Sequence, residues 1–266
     1  MRLQKIKQQG FSLVEMAIVL VILGFVLGAL LLPLRAQREQ AAQLQTISTL
    51  DSAKQALLGF AQAKGRLPCP ATAASNGLEA PLGGNVACTS QLGFLPAATL
   101  GLQPIDAQGF ALDAWNNRIM YAVDQSSAGG AITPDLTVNI ADNPATLVNE
   151  ADGMNVVGIT NLTTELRVCS TSTGATLSAC SGGTPESNYL INNAVVVIYS
   201  EGASGALASG GLDENSNPAN PTTPKSVFVS HDFTATGAPN GEFDHLVTWI
   251  SPYVLYNAMI QAGQLH

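Results

Sequence analysis

The chain has 266 residues, of which 46% are hydrophobic and only 11% charged, with a formal net charge of −8. The charge is unevenly spread: beyond residue 66, three basic residues (Arg118, Arg167 and Lys225) face 16 acidic ones, a formal −13. A nucleic-acid interface needs clustered Lys and Arg, so this composition argues against a nucleic-acid partner, and the thin cluster Lys54, Lys64 and Arg66 reads as a solvated helix surface.

A short basic leader, with Arg2, Lys5 and Lys7, ends in Gly10, and an apolar run of 24 residues from Phe11 to Leu34 follows, holding one charge, Glu15. At about 1.5 Å per residue such a run spans about 36 Å, enough to cross a bilayer core of about 30 Å. It is longer than a secretory-signal core, and no A-x-A-like site closely follows it. A plain single-pass anchor has no use for Glu15, because an acid inside a membrane span is costly and marks function. Gly24, Gly28 and Pro33 weaken the run; Pro33 removes a backbone donor and clashes with the preceding turn, so a kink or local melting is expected there.

The helical pattern continues beyond the membrane. From Arg35 to Lys64 there is no Pro, and apolar residues recur every three or four positions at Ala41, Leu44, Ile47, Leu50, Ala53, Leu57 and Phe60. With the anchor this predicts one helix of roughly 80 Å, ended by Gly65-Arg66-Leu67-Pro68-Cys69-Pro70. A loop follows to Cys88. Beyond it the spacing predicts short strands at 118–123, 155–159, 190–200, 226–230 and 243–249, with 190–200, nearly all apolar around Ala194–Tyr199, as a central strand. A short helix closes the chain, with Ser251 as N-cap, Pro252 at its first position and Gly263 at its end.

The N-terminal residues, roughly 5–34, resemble the signature of type IV pilins and type II secretion pseudopilins. That resemblance implies cleavage after Gly10 by a prepilin peptidase, methylation of the new N-terminal Phe11, and neutralisation of Glu15 by a neighbouring subunit's N-terminal ammonium in the filament core. It also implies an α+β, pilin-like fold: leader 1–10, transmembrane and filament-core helix 11–34, stalk helix 35–65 and a β-rich head 66–266. The anchor would sit in the inner membrane with the head in the periplasm, and the partners would be other pilin or pseudopilin subunits. Arg66–Pro70, Leu92–Pro96, Asp113–Tyr121 and Leu246–Pro252 look more weakly like a group of large proteobacterial pilin-like proteins, which implies a minor subunit. A filament-associated adhesin or ligand-binding subunit, for example a DNA receptor, is the alternative.

The four cysteines, Cys69, Cys88, Cys169 and Cys180, allow three pairings; the local one, Cys69–Cys88 with Cys169–Cys180, closes short polar loops and suits an oxidising periplasm. No C-x-x-C is present, so zinc or thioredoxin chemistry of the cysteines is disfavoured. In the Gly- and Asn-rich stretch 201–225, Asp213, Glu214, Asn215 and Asn217 offer oxygens for calcium, but the spacing is no EF-hand loop and a plain mobile surface loop is the expectation. No catalytic or cofactor motif occurs. The pairs His231-Asp232 and His245-Asp244 read as chance neighbours, and Asp113, Trp115 and Arg118 as a turn with an internal ion pair. No enzyme activity, cofactor or metal is therefore expected.

Overall fold

The computed structural model describes residues 12–126, 134–139, 153–180, 188–205, 210–219 and 225–265, the side chains of 29–35 excepted. The chain divides into two units, Met1–Leu44 and Gln45–His266. Helix α1, Leu13–Lys64, is helical without a break through Gly24, Gly28 and Pro33. In the first unit its large apolar side chains from Leu13 to Leu27 are all exposed.

In the second unit the end of α1 buries one face: Thr46, Leu50, Ala53, Leu57 and Ala61, spaced four, three, four and four. The predicted stripe is therefore correct from Leu50 to Leu57. Ile47 stays exposed and Ala61 replaces Phe60, because Thr46 turns inward and its hydroxyl accepts the Ala114 N–H at 3.1 Å. Gly65, at φ +71°, ends the helix in the left-handed conformation that glycine adopts without Cβ strain.

The head contains two sheets. In the four-stranded antiparallel sheet, β1 (Leu92–Phe94), β2 (Met120–Val123), β5 (Val196–Ser200) and β7 (Leu246–Ile250) lie in the order β1-β2-β5-β7. In the three-stranded sheet, β3 (Leu166–Cys169) lies between antiparallel β4 (Tyr189–Ala194) and parallel β6 (Val227–Val229). Strands β2 and β5 are buried on both faces. Tyr121, Val123, Val196 and Ile198 join the α1 core with Leu57, Ala61 and Leu255. Their alternates Met120, Ala122, Val197 and Tyr199 meet Leu166, Val168 and Phe228 of the second sheet. Two-sided burial is why this run lacks polar alternation.

Two strand predictions need correction. The 190–200 run is two strands in different sheets, separated at Val195, whose N–H donates to Ile250 O. The stretch 155–159 holds no strand: Met154–Val157 form α3, one short helical turn between Gly153 and Gly158. A further turn, Ala97–Leu100 (α2), follows β1. Helix α4, Pro252–Gln261, begins after Ser251, although that hydroxyl makes no capping bond, and ends in a Schellman pattern at Gly263: Gln264 N–H donates to Met259 O and Gly263 N–H to Ile260 O.

The cysteines pair as Cys69–Cys88 and Cys169–Cys180. Beside the first pair, Arg66 is not solvated but 5% exposed, correcting the surface reading. It forks onto Glu79, also 5% exposed, with Nη1 donating to Oε2 and Nη2 to Oε1, both at 2.7 Å.

Candidate functional sites

Gly10 and Phe11 lie outside the described residues. Just beyond them Ser12 and Glu15 form a reciprocal capping box: the Ser12 N–H donates to Glu15 Oε2 at 2.9 Å, and the Glu15 N–H to Ser12 Oγ at 3.2 Å. Two of the free donors at the start of α1 are thereby satisfied. This role for Glu15 was missed in the sequence, although Ser12-Leu-Val-Glu15 is the S-x-x-E signature of such a box. In the lone chain the carboxylate thus serves its own helix. Among the described residues no helix is long and apolar enough to cross a membrane; the described side chains of the apolar run stop at Gly28, before its end at Leu34.

The Asp113–Arg118 turn is built differently from the prediction. Arg118 pairs with Asp106, its Nη2 2.7 Å from Oδ2, and stacks over Phe110 at 4.2 Å. Asp113 instead accepts the N–H groups of Trp115 and Asn117 and the Ser200 hydroxyl at 2.6 Å, tying the turn to the end of β5. All of Asp113's bonds are structural, and none reaches toward a ligand.

The stretch after β5 is also not a plain surface loop. Within 210–219, Asp213, Glu214 and Asn217 are buried, and Glu214–Ser216 form a 3-10 turn. The four oxygen donors considered for calcium do not all share one cavity: Asp213 lines a different one, and the Asn217 side chain is occupied by backbone groups. Asp213 accepts the Ser172 N–H and an Asn240 amide N–H and meets His231 Nε2 at 3.2 Å. The Asn217 side chain is paired twice with the Val229 backbone, and exposed Asn215 bonds Gly210 O. Glu214, Asn215 and Asn217 line a cavity of about 330 Å³ together with Glu201 and His245.

This cavity is electrostatically unusual. Burial, reinforced by the negative charge of Asp113, pushes the Glu201 carboxyl up to about 7. Burial also raises Glu214, with neighbouring Asp244 adding to the shift. Burial lowers His245 to about 4, against the opposing pull of Asp244, so its imidazole is neutral at neutral pH. One donor atom each from Glu214, Asp244 and His245 lie within 4.8 Å of one another. No sequence spacing signals this grouping, because 31 positions separate Glu214 from His245 and a strand intervenes.

Residues 5–31 match the family model described as the prokaryotic N-terminal methylation motif. No curated protein and no solved structure matches the chain.

Proposed function

We propose that this chain, which carries the N-terminal methylation motif of type IV pilin-like and pseudopilin subunits, is a minor subunit of a type IV pilus or type II secretion pseudopilus. The motif is the observation that carries the reading. On it, a prepilin peptidase cuts between Gly10 and Phe11, residues 11–34 hold the chain in the inner membrane, and the head faces the periplasm before assembly. Two disulfides in the head suit that oxidising compartment. The head's size favours a minor over a repeating subunit, since every repeat of a bulky head must fit between its neighbours.

Assembly gives Glu15 a second partner. In the filament core its carboxylate meets the Phe11 ammonium of a neighbour, and removing one member of a buried charge pair is expensive. The capping box and the charge are separable, because Gln keeps the cap and loses the charge. Glu15→Gln and Glu15→Val should both be inserted and processed yet fail to co-purify with sheared filaments. Wild-type incorporation of Glu15→Gln would reduce Glu15 to a helix cap and remove its role in setting register. Gly24, Gly28 and Pro33 give the helix its weak stretch for local melting on assembly.

A further inference from the structure

The cavity beside the 3-10 turn has features that filament assembly does not use. Glu201 is 8% exposed, and its carboxylate makes no hydrogen bond or ion pair among the described residues. Removing most of the water from an ionised carboxylate without supplying a partner is costly, and the charge that acts on it, Asp113, is also negative. Glu214 is 4% exposed. Its Oε1 accepts the Asp244 N–H at 2.9 Å and the Ser204 hydroxyl at 3.4 Å, while Oε2 accepts nothing. Two glycines keep space for these oxygens: a Cβ at Gly205 would run into Glu201, and one at Gly210 into Glu214 Oε2.

We infer that Glu214, Asp244 and His245, with the unpaired Glu201 carboxylate lining the same cavity, form a binding site for a divalent transition-metal ion, zinc by the chemistry of its donors. The donor atoms of Glu214, Asp244 and His245 span at most 4.8 Å. A tetrahedral ion about 2.0–2.2 Å from each donor would set them about 3.3–3.6 Å apart, so the three side chains would draw in by up to about 1.5 Å to hold it. Mixed imidazole and carboxylate donors suit zinc, and manganese less well, whereas calcium takes six to eight oxygens. Asn217 does not block the ring: its Nδ2 stands 3.4 Å from His245 Nδ1, and among the described residues Nε2 has no hydrogen-bond partner and is open to a metal ion. The donors come from the end of β5, the 3-10 turn and the approach to β7. An ion here would tie these three segments together and offset the clustered negative charge.

The test uses the untagged full-length chain in detergent, stripped with chelator and dialysed separately against zinc, manganese and calcium. The bound metal is then counted by mass spectrometry and the melting midpoint measured. The expected result is one zinc retained per chain with a raised midpoint, and affinity at least tenfold weaker in Glu214→Gln and Glu201→Gln but unchanged in Asp51→Asn on the exposed stalk. Glu201→Gln removes no hydrogen bond and decides the matter if Glu214→Gln fails to fold. No retained ion, calcium retained in place of zinc and manganese, or equal zinc affinity in Glu201→Gln would each overturn the site.

Discussion

Glu79→Gln should be among the most damaging isosteric changes in the head. The Glu79 carboxylate accepts two Arg66 bonds at 2.7 Å, the Cys69 N–H at 3.2 Å and the Gly83 N–H at 3.3 Å. It thereby clamps the chain where it leaves α1. Neutralising it strands the buried Arg66 guanidinium, and breaking a buried pair costs about 3–5 kcal/mol. For a unit of this size that lowers the melting midpoint by about 6–20 °C. Burial alone would raise the Glu79 carboxyl, but the Arg66 bonds and charge with the two backbone N–H groups outweigh it and hold it below its ordinary 4.5. A carboxylate depressed by folding stabilises the head above that value and loses the contribution as pH falls through the folded one. The gap between wild type and Glu79→Gln should therefore close in acid below about pH 4.5. The assay is thermal unfolding of the full chain in detergent, followed by near-ultraviolet circular dichroism, with Arg66→Met completing a double-mutant cycle. Partners in contact should couple by about 0.5–3 kcal/mol. A loss under about 1 kcal/mol for Glu79→Gln, or strict additivity in the cycle, would refute the clamp.

Replacing Cys69 and Cys88 together by Ser should destabilise the head by roughly 2–4 kcal/mol, read as a shift in the denaturant midpoint; an unchanged midpoint would mean the crosslink does not constrain the exit from α1. Gly77→Ala should cost at least about 1–2 kcal/mol from its left-handed backbone alone, since Gly77 sits at φ +69° and a Cβ there would also collide with the Gly109 carbonyl. Wild-type thermal stability of Gly77→Ala would contradict that close approach.

The parts of the fold legible in the sequence rest on local periodicity. The apolar repeat of α1, the Gly65 stop and the Pro252-to-Gly263 helix depend on neighbours a few residues apart, where propensity and capping act directly. Legibility failed where the decisive partner is remote. Val195 lies inside a continuous apolar run, and nothing within it marks the change from one sheet to the other. Val156 and Val157 are β-branched and read as strand, yet the glycines on either side leave room for only one helical turn. Arg66 read as solvated because Glu79 is 13 residues away across a loop. Arg118 read as the partner of Asp113 by proximity, whereas Asp113 is used up by backbone N–H groups and Ser200. The Glu201, Glu214 and His245 cavity depends on β5 and β7 lying side by side, a tertiary pairing with no local signal.

Assignment to the pilin-like subunits is decided by the intact mass of the protein extracted from its native membrane, with the N-terminal peptide sequenced. Prepilin processing leaves a mature chain beginning at N-methylated Phe11, with the leader through Gly10 removed. A mature chain that still carries Lys5 and Lys7 would contradict it.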